Sequence, residues 1–312
     1  MSIIVTSIAL LKWIPIALLL VGHVLITLTS SMELHSFFYV VINVANPLFW
    51  GIYLLEIALR PMFTFQSFLQ VVCIPYTHIA YGLALPSVDL NTSDVEHMLP
   101  FEGEWAIVNG GINKKSSHSW FIATQRYAYD FLVVDEHGRS YNGCKTNLND
   151  YYCYSKNVLA SADGTVVDVG NACYDSKIFR LGLLDANVKD IRGNYVTIMH
   201  NKFEYSTIAH LSKDSILVKI GQKVKQGEVI AKCGNSGNSS EPHIHFQVQT
   251  AKSFFSSAGK PIKFNHIITR PFQNYSSIYK KKSYLNEIVD GYLSRGLLVQ
   301  NCKKGYSVTS TK

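Results

Sequence analysis

Two histidines one residue apart, in Pro242-His243-Ile244-His245-Phe246, follow the polar run Gly234-Asn235-Ser236-Gly237-Asn238-Ser239. In a β-strand alternate side chains share a face, so His243 and His245 point the same way. Two imidazoles on one face can share a metal, or one can bind while the other moves protons. The Gly/Ser/Asn loop ahead of Ile244, Phe246 and Val248 reads as a turn feeding a packed strand. A lone His-x-His is common, and its weight comes from its company. Asp130 stands among aromatic and small residues in Gln125-Arg126-Tyr127-Ala128-Tyr129-Asp130-Phe131, and His210-Leu211 follows later in the chain.

The elements that must position these residues are short and β-rich. Thr165–Val169, Asn194–His200, Ser215–Ile220, Val229–Cys233 and His245–Gln249 are expected strands, separated by Gly, Asn and Asp. Val158–Val167 reads as strand, turn, strand around Asp163-Gly164. Ile220–Ile230 reads as a hairpin with Gly221 and Gly227 at its turns. Between residues 100 and 275 no long amphipathic helix stands out, so the class expected is all-β.

Taken in order, the motifs from Asp130 to His245 resemble the M23 family of zinc metallopeptidases, the lysostaphin type. The resemblance covers roughly residues 95–250, and Gly193–Val248 is its most specific part. It implies an open two-layer antiparallel β-sandwich with a groove across one face. It also implies a Zn2+ site, with Asp130 and His245 as metal ligands and His243 and His210 as the catalytic pair, His243 being the general base. The implied substrate is a peptide bond in cell-wall peptidoglycan, which places the domain outside the cytoplasm.

One position departs from the family. The usual first motif is His-x-x-x-Asp, and the residue four before Asp130 is Arg126. Arginine stays protonated and cannot ligate zinc. His118 is the nearest upstream histidine. Some family members carry their histidine upstream of a Gln-Arg-Tyr-Ala-x-Asp segment, which favours it. Asn109 and Asn113 are oxygen donors in the same stretch. The alternatives are a metal held by two ligands and water, or a degenerate, non-catalytic scaffold that binds wall peptide or a membrane partner. A lipoyl-type carrier hairpin at Gly221–Gly234 lacks the displayed lysine turn and leaves the histidines without a role.

Four further residues read as structural. His200 ends a strand, His137 lies in a polar turn, Asp163 precedes a turn glycine, and Cys233 sits in an apolar strand. Tyr127, Tyr129, Tyr151 and Tyr152 are core or groove aromatics.

The 312 residues carry a formal net charge of +7, distributed unevenly. Residues 1–88 hold only Lys12, Glu33, Glu56 and Arg60 as charged groups. Trp13–Met32 and Leu34–Leu55 are uncharged, apolar and long enough to span a bilayer. The expected organisation is two transmembrane helices in 1–60, an apolar transition in 61–94, the M23-like domain in 95–275 and a basic amphipathic tail in 276–312. The transition segment suits a third span, an interfacial helix or a buried part of the next domain. Residues 1–30 lack the basic start of a signal peptide, and a second apolar segment follows at once. Six cysteines without a Cys-x-x-Cys pair argue against a zinc ribbon. Cys144 and Cys153 flank a polar loop as a candidate disulfide or as unpaired thiols. No Arg/Lys-rich aromatic platform of the nucleic-acid-binding kind occurs in the β-rich part.

Overall fold

The computed structural model describes residues 61–81, 85–90, 92–178, 185, 188–279, 283 and 291–302. The expected transmembrane hairpin of 1–60 lies outside the described residues, as does most of the expected basic tail.

The first described element is helix α1 (Pro61–Ala80). Among the described residues no helix is long and apolar enough to cross a membrane. Its buried residues are Gln66 and Thr77. The Gln66 amide donates to Lys189 O at 2.9 Å, and its carbonyl accepts from Ile191 N at 2.8 Å, so the helix docks through a polar face.

Among the described residues the chain then builds twelve strands: β1 (Trp105–Asn109), β2 (Tyr129–Leu132), β3 (Asn157–Leu159), β4 (Gly164–Gly170), β5 (Asn194–Asn201), β6 (Glu204–Leu211), β7 (Lys223–Val224), β8 (Val229–Lys232), β9 (Ile244–Gln249), β10 (Gly259–Lys260), β11 (Ile267–Pro271) and β12 (Leu297–Asn301), with the short helix α2 (Tyr275–Tyr279) before β12. Ten strands form one antiparallel sheet in the order β11-β12-β1-β2-β9-β6-β5-β4-β7, with β10 paired to β9. The other two, β3 and β8, form a small antiparallel sheet.

The all-β, antiparallel expectation holds for this domain, but the two layers are unequal. One large sheet carries the fold, and the two-stranded sheet contributes Val158, Ile230 and Ala231 to the same core as Val196, Ile198, Ile208 and Phe246. The expected 220–230 hairpin is also different. β7 pairs with β4 in the large sheet, whereas β8 pairs with β3 in the small one, so this turn crosses between layers. Ser215–Ile220 is not a strand; Leu217 N reaches Ile230 O at 2.9 Å, but Leu217 and Ile220 lie exposed. The expected tail gives way at Leu297–Asn301, where an apolar start (Leu297, Leu298, Val299) is buried between β11 and β1. No disulfide joins Cys144 and Cys153, the one exposed and the other buried, and Cys153 Sγ donates to Pro242 O at 3.0 Å.

Period-two alternation in β9 sorts its residues. Ile244, Phe246 and Val248 enter the apolar core, and His245, Gln247 and Gln249 occupy the opposite face. The register then decides the site. Asp130 of β2 lies directly opposite His245, and on the other side of β9 Ala209 of β6 does the same. Directly opposed residues bring their Cβ atoms to within about 5 Å. A carboxylate therefore meets the imidazole on one flank, and the small Ala209 leaves it room on the other.

Candidate metal centre

His118, Asp130 and His245 form the one group among the described residues whose donor atoms could hold a metal ion, with those atoms all within 4.8 Å of one another. His245 Nδ1 is 3.0 Å from Asp130 Oδ1, and His118 Nδ1 is 3.7 Å from Asp130 Oδ2. Asp130 and His245 are buried; the His118 side chain is 27% exposed and forms the open side.

His118 reaches the site from a loop shaped by its own turn. Gly111 has φ 144°, where a side chain would be strained and would run into Ser116. Asn113 Oδ1 accepts from Lys115 N and Ser116 N, each at 3.0 Å, so Asn113 is spent on the loop. Asn109 is not an oxygen ligand either: its amide donates to Asp130 Oδ2 at 2.7 Å and fixes the carboxylate. Arg126 follows the single 3-10 turn Ala123–Gln125. Its Nε donates to Trp120 O at 3.1 Å, and its guanidinium lies over the Trp120 ring. His118, rather than residue 126, is the residue that stands with Asp130 and His245.

A ladder of amides, not anticipated from the sequence, orients His245. Gln249 Nε2 donates to Ala251 O (2.8 Å) and Lys252 O (3.2 Å). Its Oε1 is thereby left to accept from Gln247 Nε2 at 2.5 Å, and Gln247 Oε1 takes the proton of His245 Nε2 at 3.0 Å. The polarity of the ladder is set at its backbone end, and it directs His245 Nδ1 toward Asp130 and the candidate metal position. Ligating histidines usually make such an outer hydrogen bond through the other ring nitrogen. The only sequence signal was polar residues at alternate positions of β9.

His210 and His243 complete the cluster. Their ring centroids are 4.7 Å apart, and His210 lies 5.9 Å from His245. His243 Nδ1 donates to Glu241 O at 2.8 Å, with Ser239 Oγ at 3.1 Å, and its Nε2 stands 3.8 Å from Asp130 Oδ1. His210 Nδ1 donates to Ser236 O at 2.8 Å. In both rings a carbonyl fixes the proton on Nδ1, so a neutral ring carries its lone pair on Nε2. His210 is also held at φ 61°, a left-handed conformation uncommon for a non-glycine residue.

Electrostatics separate the roles. Burial alone would raise the Asp130 carboxyl, but His118 and the hydrogen bond from His245 hold it well below the usual carboxylate range. Burial, then the neighbouring His243 and His245, push His210 well below the usual imidazole range, so it is neutral. Burial also opposes the charged form of His245, but its hydrogen bond and attraction to Asp130 outweigh this and raise it.

The expected ligands and catalytic pair are brought together in this structure. The remaining sequence candidates are not. His200 lies near the C-terminal end of β5 and is bonded to Asp163 O and Ser206 Oγ. His137 is exposed in a turn beside Glu136. Asp163 pairs with Lys225 at 2.7 Å, and Cys233 is a core thiol.

Comparison with known proteins agrees with the resemblance. Residues 149–263 match Peptidase family M23, a stretch that contains His210, His243 and His245 and begins downstream of His118 and Asp130. The chain is 37% identical over 91 residues to the peptidoglycan DD-endopeptidase ShyA of Vibrio cholerae, covering 29% of this chain and 17% of that protein. It is 31% identical over 128 residues to the murein hydrolase activator NlpD of Escherichia coli, covering 41% and 28% respectively. A solved zinc-containing peptidase from Vibrio cholerae aligns with 25% identity over 53% of this chain and 39% of that one, at a TM-score of 0.32. The chain spans less than a third of the length of the curated relatives it matches. Over residues 149–263, this chain is similar to peptidase family M23.

Proposed function

We propose that this protein is a membrane-anchored zinc metalloendopeptidase that hydrolyses peptide bonds in cell-wall peptidoglycan. The observation that carries the reading is the convergence of His118, Asp130 and His245 beside two further imidazoles.

The residues fit the metal. Catalytic zinc takes three nitrogen or oxygen ligands at about 2.0–2.2 Å and keeps one position open. A His/Asp/His set with two buried members and one half-open side meets that description, and the amide ladder supplies the outer hydrogen bond. When bound, zinc supplies Lewis acidity, polarising a carbonyl and lowering the pKa of water.

The chain's own groups handle the protons. His243, with its lone pair on Nε2 beside Asp130, is placed to take a proton from the attacking water. Once protonated, the same nitrogen can donate to the leaving amine. His210 is kept neutral and supplies a second acceptor against the His243 ring. Asn109 holds Asp130 throughout.

The relatives named for peptidoglycan endopeptidase and murein hydrolase activator functions support a wall substrate. Two span-length apolar segments in 1–60 support anchoring in the membrane, and a wall substrate requires the domain to face outward. The test is hydrolysis of purified cross-linked wall peptides by the full chain, with metal content measured alongside. Loss of hydrolysis with zinc retained in His243→Ala supports the reading; full hydrolysis by that variant overturns the proton-transfer role. A second reading, a wall-binding activator without hydrolysis, is favoured by the match to the murein hydrolase activator. Zinc-loaded wild-type protein that binds wall peptide without cleaving it would establish that reading instead.

A further inference from the structure

Helix α1 is amphipathic in the inverted sense. Surface helices of soluble domains turn their apolar stripe inward and their polar face to water. Here the two buried residues are polar, Gln66 and Thr77, with Gln66 hydrogen-bonded to Lys189 and Ile191, while Phe63, Ser67, Leu69, Gln70, Cys73 and Ile74 are half-buried. The outward face carries Phe65, Phe68, Val72, Tyr76 and Ile79, at 55%, 57%, 46%, 56% and 82% exposure. Their spacing of three, four, four and three residues makes one continuous stripe along the helix. The helix contains no Asp, Glu, Lys or Arg. Single exposed apolar residues are ordinary, but a contiguous row of five large ones marks a surface that meets something apolar.

The sequence indicates what that is. Pro61 begins the helix directly after Arg60, and the second uncharged, span-length segment ends at Leu55. If that segment crosses the bilayer, only a few residues separate its end from α1, so the helix starts at the headgroup level. Arg60 there suits a side chain that keeps its charge at the interface.

We propose that the outward stripe of α1 lies in the headgroup and acyl boundary of the membrane, while its polar face grips the β domain. Interfacial helices bury their apolar face roughly 5–10 Å into that boundary. The helix would then be a mount that holds the domain flat against the bilayer, rather than a third span. This rests on the membrane anchoring proposed above, and the test separates the two.

The full chain is reconstituted into liposomes whose acyl chains carry a photoactivatable diazirine, illuminated, and its lipid adducts mapped by mass spectrometry. Adducts are expected at Phe65, Phe68, Val72, Tyr76 and Ile79, with Gln66, Gln70 and Thr77 unlabelled. A Phe68→Glu/Ile79→Glu variant is expected to lose the α1 adducts and keep those in residues 1–60. Adducts confined to residues 1–60 in the wild type would overturn the mount while leaving the anchor. Absence of adducts throughout the chain would overturn both.

Discussion

Strands β6 and β9 carry a buried cluster of histidine and carboxylate toward each end, and the two clusters are built to opposite purposes. At the far end Glu204 receives Lys260 Nζ at 2.9 Å, His97 Nε2 at 3.1 Å, Asp94 N at 3.2 Å and the Ser93 hydroxyl. The other nitrogen of His97 meets Ser161 at 3.0 Å, and both nitrogens of His200 are bonded. The carboxylate has a resident cation, and these imidazoles have both nitrogens engaged. At the near end Asp130 is surrounded by three histidines and has no Lys or Arg partner among the described residues, while His210 and His243 each spend Nδ1 on a carbonyl and keep Nε2 toward the site. Residue type is the same in both places. The far cluster holds its own cation, whereas the near one sets its carboxylate among imidazoles.

Substitutions should divide along that line. The largest effect expected is at Asp130 and His245: replacement of either by Ala should abolish stoichiometric zinc and all hydrolysis, read by elemental analysis and a wall-peptide assay. Next come His243→Ala and His210→Ala. These should retain zinc and lower hydrolysis by about 10²–10⁴-fold, the range for a lost general acid–base group.

The far end should answer in stability instead. Glu204→Ala leaves Lys260 buried without its partner, which costs about 3–5 kcal/mol in denaturant unfolding. The pH dependence has a definite sign. Despite burial, which raises it, Glu204 is drawn to about 2 by His97, Ser93 and Lys260, below its ordinary value of 4.5. Its stabilisation is present above pH 4.5 and is lost as pH falls toward 2. Burial, and then His97, lower His200 to about 4 from 6.5. The unfolded chain therefore takes up that proton first, and stability begins to fall below about pH 6.5. A flat unfolding free energy from pH 7 to 3 would contradict this description of the strut.

Gln247→Ala tests the amide ladder with a smaller effect. Loss of an outer hydrogen bond to a ligating histidine weakens metal binding by about 10–100-fold, measurable by competition with a chelating dye. The smallest effect is expected at Arg126, whose side chain is committed to Trp120. Arg126→Ala should leave zinc content unchanged; loss of the metal would mean that Arg126 shapes the site after all.

These outcomes follow features that were unequally legible in the sequence. Period two placed His243 and His245 on one face, and the ordered motifs placed Asp130 and His210 beside them. Strands β4, β5, β8 and β9 fell close to their expected bounds because alternation and turn residues agree there. His118 was only the nearest candidate, since its approach depends on a glycine-shaped loop that has no period. The partner strands of β7 and β8 depend on long-range pairing, which two adjacent turn glycines do not reveal. β12 was obscured by the surrounding basic residues. The amide ladder and the Glu204 cluster went unread because polar side chains at alternate strand positions ordinarily face water, and only the fold shows these ones buried.

The central claim is that His118 replaces the ligand absent from position 126. Its most direct test is the zinc content of the purified full chain, wild type beside His118→Ala. The account predicts about one zinc per wild-type chain and its loss in the variant. Equal zinc in both, or none in the wild type, would contradict it.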